Sequence, residues 1–338
     1  MRQEDRFARL ASTSLTRRST LAGLGAAALA AASGRPSLAA AWPTRPVTVI
    51  VPYAAGGNTD MMARLASDYI SRKTGQPFII ENRGGGSGLI GAMATLQKPA
   101  DGHTFMFGSS AQIFNIPMLQ KVTYNPHEDF VPVSIFGAGP YLLAIRSELP
   151  PKTLGEFIDY VKERPGKLNY GTAGPSGNVN LNTALFLHRA GLKMVAVPYK
   201  SGAPAMTGLA SGNVEMYFGN ASEVMLHTEN KNIRILAVTT TERLAQLPDV
   251  PTVAETFPGF EGSSWNGFFA LKGTPQEAID GMVKYTIEAA KQPEIIKRLQ
   301  QIAILPYGTT QAEFKEVIKK TAVTIRESME AAGLPIIN

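Results

Sequence analysis

Three glycine-rich stretches stand where backbone chemistry is possible: Gly56-Gly57-Asn58-Thr59-Asp60, Gly84-Gly85-Gly86-Ser87-Gly88, and Gly171-Thr172-Ala173-Gly174-Pro175-Ser176-Gly177-Asn178. Each follows a β-rich run and leads into a helical one. A helix start presents N–H groups without intrahelical acceptors, together with a partial positive charge. Glycine lets a ligand come close to that backbone. The chemistry on offer is capture of a carboxylate or phosphate by donor-rich cups. A single such loop is commonly a structural turn; three of them favour binding.

Covalent chemistry has little to work with. The chain has no cysteine, which removes thiol catalysis, Cys-ligated metals and disulfides. His103, His127, His188 and His227 are too scattered to form a spaced metal pair. Ser109, Ser110 and Ser176 fall in loops, but no histidine is tied to them by spacing and no G-x-S-x-G elbow occurs. Gly86-Ser87-Gly88-Leu89-Ile90-Gly91 matches G-x-G-x-x-G literally, yet no acid lies near Ala111 to hold a ribose hydroxyl. No Walker A loop is present. The expectation is a protein without catalytic residues, metal or cofactor. Trp265 and Phe268 are of a type to stack on a ligand, although core packing suits Phe268 better.

The elements that must position the loops follow from hydrophobic periodicity. Of 338 residues, 44% are apolar and 18% charged, enough to bury a core in two domains of ordinary size. Residues 46–53 (PVTVIVPY) read as a strand, and Met61, Leu65, Tyr69 and Ile70 then recur near helical spacing up to Gly75. Strands at 77–81 and 104–108 flank a further helix. This alternation predicts mostly parallel sheets with helices on their faces, and such sheets place ligands at strand C-terminal edges. An internal echo pairs Val51-Pro52-Tyr53-Ala54-Ala55-Gly56-Gly57 with Val197-Pro198-Tyr199-Lys200-Ser201-Gly202-Ala203. It reads either as two equivalent lobes or as convergence on a common turn sequence. The apolar runs 131–145 and 264–271 are the expected crossings between lobes, with hinge freedom from Gly137, Gly139, Gly262 and Gly267.

The net charge of +6 does not indicate a nucleic-acid partner, because it is concentrated at one end. Residues 1–41 carry six arginines against two acids, +4, leaving +2 for the other 297 residues. That segment reads as an export signal: basic residues, an Ala/Gly/Leu stretch too short to span a bilayer, and small residues before a cut after Ala41 or Ala39. Thr16-Arg17-Arg18-Ser19-Thr20-Leu21 resembles the twin-arginine export motif, with Thr at a position where Phe is usual; an ordinary secretory signal is the other reading. The expected location is the periplasm.

From Trp42 to about Pro275, and more loosely beyond, the chain resembles the Bug family of periplasmic solute receptors that serve tripartite tricarboxylate transporters. The matching stretches are WPTRPVTVIVPYAAGGNTDMMAR, PFIIENRGGGSGLIGA, ADGHTFMFGSS, YNPHEDFVPVS, LNYGTAGPSGNVNL, VPYKSGAPAMTGLASGNVEMYF and LPDVPTVAETFPGFEGSSWNGFFALKGTP, in that order. The resemblance implies a two-lobed venus-flytrap α/β fold, each lobe a mostly parallel sheet flanked by helices. It implies that a monomer captures a small carboxylate and delivers it to the membrane subunits of such a transporter, with no nucleic acid involved. A periplasmic ligand-sensing partner of a membrane signalling protein would use the same cleft.

Carried over by motif position, Tyr53, Ala55, Gly57, Asn58 and Asp60 form the first-lobe loop, with Asp60 ordering it. Gly86, Ser87 and Gly88 form a second carboxylate cup, Ser109 and Ser110 close that side, and Thr172, Ser176, Asn178, Tyr199, Ser201 and Ala203 come from the other lobe. The expected organisation is 42–140 with 266–338 as lobe 1 and 141–265 as lobe 2. The chain departs from the family at Asn180, where His is frequent, at Ser201, where Gly is usual, and at Gly219-Asn220, where Asp is common. The last change removes an acidic partner for an amino group at that position and points to a non-amino carboxylate. Arg83 and Lys200 flank the loops as field-contributing or simply solvated cations.

Overall fold

A computed structural model describes residues 42–337. The export-signal reading lies outside the described residues. From the first described residues onward, strands and helices alternate: β1 (Val47–Val51), α1 (Asn58–Thr74), β2 (Phe78–Asn82), α2 (Leu89–Leu96), β3 (Thr104–Ser109) and β4 (Phe130–Arg146). The second lobe continues with α3 (Leu154–Lys162), β5 (Asn169–Thr172), α4 (Asn178–Ala190), β6 (Val195–Pro198), α5 (Gly202–Ala210), β7 (Met216–Asn220), α6 (Ala221–Met225) and β8 (Ile233–Val238). The chain then returns through β9 (Ser263–Leu271), α7 (Gln276–Ala290), α8 (Pro293–Gln301), β10 (Leu305–Pro306) and α9 (Gln311–Ala331).

Local sequence accounts for these elements. The β-branched run of β1 is almost wholly buried, as a strand covered on both faces must be. Helix α1 buries Met62, Ala63, Ala66, Tyr69 and Ile70 and stops at Gly75, whose left-handed φ of 71° lets its N–H reach the Ser71 carbonyl at 2.9 Å. Three apolar clusters result. One lies in the first lobe, where Phe107 meets Phe268 edge-on with centroids 4.7 Å apart, and one runs from the first lobe to Leu181 of α4. The third fills the second lobe around Phe186, Phe218 and Phe260. No helix among the described residues is long and apolar enough to cross a membrane.

The strand order is β2-β1-β3-β9-β4-β7-β5-β6, with β8 and β10 also paired to β4. Read inward from either end, the order has the same arrangement: β1 runs parallel between β2 and β3, and β5 runs parallel between β6 and β7. Strand β4 joins the halves. It pairs with β9 as far as Pro140↔Ser263, then pairs with β7 and β8 from Tyr141 onward. Both predicted crossing runs are therefore strands, and both run antiparallel to their neighbours. The expectation of mostly parallel sheets holds for the strand–helix–strand repeats, while β4 and β9 make each sheet mixed. Gly267 sits where β9 presses on β4, and a Cβ there would collide with the Ser134 carbonyl, so close packing demands that glycine.

The topology also decides between the two readings of the echo. Equivalence of the lobes matches β1 with β5, not with β6, so the Val-Pro-Tyr similarity joins strands in different places and is convergence. The positions that truly correspond are Gly57-Asn58, opening α1, and Gly177-Asn178, opening α4. Both glycines cap their helices with extended backbone, φ −79°, ψ 170° and φ −79°, ψ 158°.

Candidate functional site

The two corresponding helix starts converge on one small cavity between the lobes, about 30 Å³ in volume, against the roughly 10–15 Å³ of such space that a water needs. Tyr53, Gly57, Asn58, Thr59 and Ser109 line it from the first lobe. Ala173, Gly177, Asn178, Val179, Ser201, Gly202, Asn220 and Glu223 line it from the second, and Ser264 from β9.

On the first-lobe side, the loop after β1 is held by Asp60, which is only 2% exposed. Its carboxylate accepts from Gly56 N–H at 2.9 Å, Asn82 Nδ2 at 2.9 Å and Arg64 Nε at 2.9 Å. Burial alone would raise the Asp60 pKa, but these three donors bring it below its ordinary value. Gly56 makes the turn possible by adopting a φ of 84°. Tyr53 is fixed by Gln112, whose Nε2 donates to its hydroxyl at 3.1 Å, and burial pushes its phenol up.

Asparagines at the helix starts reach across the cleft in corresponding ways. Asn58 Oδ1 accepts from Ser222 Oγ at 2.6 Å, at the start of α6 directly after β7. Asn178 Oδ1 accepts from Ser110 Oγ at 3.0 Å and Asn115 Nδ2 at 2.8 Å, in the turn after β3. Asn178 Nδ2 also donates to Ser109 Oγ at 3.3 Å. Elsewhere along the cleft, Ser87 Oγ accepts from Ser176 N–H at 3.0 Å.

Of the residues expected at the site, Tyr53, Gly57, Asn58, Ser109, Asn178 and Ser201 meet at the cavity. Asp60, Ser110 and Thr172 stand behind it as supports; Thr172 Oγ1 donates to the Gly174 carbonyl at 3.3 Å. Ala55 lies in the turn before Gly56, and Ala203 faces Gly56 from α5. Gly86, Ser87 and Tyr199 line a neighbouring open groove, together with Lys200, which meets the cavity at Ala173. Ser176 gives its N–H to Ser87 Oγ, and Gly88 packs under Gln112. Asn180 does not reach the cavity either; it holds the loop by donating to the Pro175 carbonyl at 2.7 Å. Trp265 packs on Phe314 and Phe268 on Phe107, both away from the cavity.

One residue that sequence reasoning missed is Glu223. Gly219-Asn220 does lack an acid, but one turn of α6 carries the Glu223 carboxylate back into the cavity. Its Oε1 accepts from Asn58 N–H at 2.9 Å, and Oε2 accepts from Asn220 Nδ2 at 3.2 Å and from the Tyr217 hydroxyl. Burial pushes Glu223 up, against the opposing pull of these donors. The signal available in the sequence was the polar run Asn220-Ala221-Ser222-Glu223 directly after an apolar strand.

Known proteins share this sequence and fold. Residues 62–334 match the tripartite tricarboxylate transporter family receptor model. Protein BugT of Bordetella pertussis is 31% identical over 315 residues, covering 91% of this chain and 97% of that one. The solved structure of R. palustris Rpa4515 with adipate is 34% identical, covers 87% of this chain and 99% of that one, and superimposes with a TM-score of 0.84. MatC (Rpa3494) from Rhodopseudomonas palustris with bound malate is 29% identical, covers 85% and 99%, and has a TM-score of 0.81. A family match over most of the chain, a full-length curated relative and the shared two-lobed fold lead to one conclusion: the chain belongs to the tripartite tricarboxylate transporter receptor family, among the Bug-type solute-binding proteins.

Proposed function

We propose that this protein is a periplasmic receptor that captures a small carboxylate between its lobes and delivers it, as a monomer, to a tripartite tricarboxylate-type membrane transporter. The observation that carries this reading is the convergence of two glycine-capped helix starts, one from each lobe, on a single polar cavity. A helix start gives an anion N–H donors and a favourable field, roughly 0.3–1 kcal/mol per exposed interaction and more when buried. The relatives solved with adipate and malate support the carboxylate class. The lobes are taken as 42–140 with 266–338, and 141–265.

A cavity of about 30 Å³ has room for water but not for a dicarboxylate. The lobes therefore part to admit the ligand and close on it, flexing where β4 changes partners. Only the closed form contacts the ligand from both sides, so binding favours closure.

A thermal-shift panel of aliphatic di- and tricarboxylates, aromatic carboxylates, amino acids and phosphates tests the reading. A ligand specific to the folded state adds about 2.7 kcal/mol at a hundredfold excess over Kd. For a chain of this length that raises Tm by roughly 5 °C. Silence across the carboxylates with a clear response to another class would overturn it. Deletion of the gene is expected to abolish uptake of the carboxylate identified; intact uptake with a lost transcriptional response would instead identify a sensing partner.

A further inference from the structure

The two corresponding helix starts are occupied differently. At α1, a carboxylate is already in place: Glu223, 3% exposed, takes the Asn58 N–H. It lies directly over Gly202, where any Cβ would collide with it. At α4, the N-cap is Gly177, which has no side chain with which to cap the helix. Asn178 and Val179, whose first-turn N–H groups helix geometry leaves without intrahelical acceptors, line the cavity. Ser201 Oγ lines the same space, in a residue 2% exposed, and has no hydrogen-bond partner among the described residues. The cleft thus has two equivalent anion positions. One is filled by the chain itself, and the other has donors and an unpartnered hydroxyl beside it.

Resting on the carboxylate-receptor reading, we propose that Glu223 is a specificity-determining residue: it holds one anion position from within the chain, so that a ligand carboxylate takes the other, at the start of α4, together with one proton.

The physical reason is charge. No lysine, arginine or histidine among the described residues lines the cavity. The groups facing Glu223 are Asn58 from α1, Asn220 and Tyr217 from β7, and, further off, Tyr53 and Tyr141. Burial pushes all three phenols up, so they stay neutral. Asp60, in the first turn of α1, is already engaged by Arg64 and Asn82. A ligand carboxylate would therefore meet Glu223 with no cation between them. Two carboxylates in one buried site retain a proton more firmly than either does alone. The sign follows: the free protein starts with Glu223 raised by burial, the complex raises it further, and binding takes up a proton in the interval between. In that interval Kd weakens with rising pH, by up to tenfold per unit. A zwitterionic ligand with its ammonium on Glu223 would behave oppositely on loss of the charge.

The test is calorimetric titration of adipate, malate, citrate, benzoate and glutamate into the purified protein between pH 6 and 8.5, where the carboxylates of adipate and malate are largely ionised. The expected result is a carboxylate whose Kd weakens at least tenfold across the range. In two buffers of different ionisation enthalpy, it should take up protons from solution where its Kd is changing with pH. The Glu223→Gln variant should bind the same carboxylate about as tightly at high pH as the wild type does at low pH, with the dependence gone. The two-buffer measurement uses the wild type alone and so does not depend on how the variant folds. A carboxylate that binds with a flat pH profile and no proton uptake overturns the proposal and leaves the receptor reading standing. So does glutamate binding that weakens tenfold or more in Glu223→Gln, which would make Glu223 the partner of an ammonium. Failure of every carboxylate to bind either protein overturns both readings.

Discussion

Gly57→Val is expected to fold as the wild type does and to bind a carboxylate at least a hundredfold more weakly, a loss of about 2.7 kcal/mol. Gly57 has ordinary extended backbone, φ −79° and ψ 170°, which valine adopts without strain. What valine cannot share is the space. A Cβ on Gly57 already comes within 3.3 Å of Ser201 Cβ and 3.4 Å of Glu223 Oε1. The two further methyl carbons must push into the cavity or hold the lobes apart, so the second-lobe contacts of a bound carboxylate are lost. Titration calorimetry on the variant, with circular dichroism to verify the fold, measures this. Unchanged affinity in a folded Gly57→Val would place the ligand elsewhere.

Asp60→Ala is expected to act on stability. The substitution leaves the Gly56 N–H and the Asn82 amide without the acceptor that both use, and it releases a loop whose left-handed residue depends on that anchor. Stranded donors of this kind, part of a network with a buried carboxylate, cost about 3 kcal/mol, or roughly 5 °C in Tm for a chain of this length. Arg64 adds little to the sum, because its side chain is half exposed and screened by solvent. The pH dependence has a definite sign. Asp60 is held below its ordinary pKa, so its contribution is complete above the unfolded-state value and disappears as pH falls through the folded one. The Tm difference between wild type and variant should be constant above about pH 5 and shrink in stronger acid. A gap that widened in acid would contradict the assignment.

Much of this architecture was legible in the residues because it is local. Glycine at a strand-to-helix turn, β-branched runs and helical spacing of apolar residues all act within a few positions, and they located β1, α1 and the loops that meet at Gly57 and Asn178. Strand order is a long-range property. Nothing near Val-Pro-Tyr tells that β1 lies between two strands whereas β6 lies at an edge, so the echo was compelling locally and misplaced globally. Ser87 illustrates the same limit: its loop has the composition of an anion cup, but only the approach of residue 176 from the other lobe shows that its hydroxyl is spent on a protein N–H. Glu223 escaped because the acid was sought on the strand, while a single helical turn returns it to the cavity from three residues further on.

The central claim, that one carboxylate is held between the lobes by helix-start N–H groups, is tested most directly by amide hydrogen exchange. The protein is measured with and without a saturating concentration of the best-binding carboxylate of the panel. The account predicts slowed exchange at both residues 57–59 and residues 177–179, in different lobes, upon binding. Protection confined to one lobe, or to a surface remote from both helix starts, would contradict it.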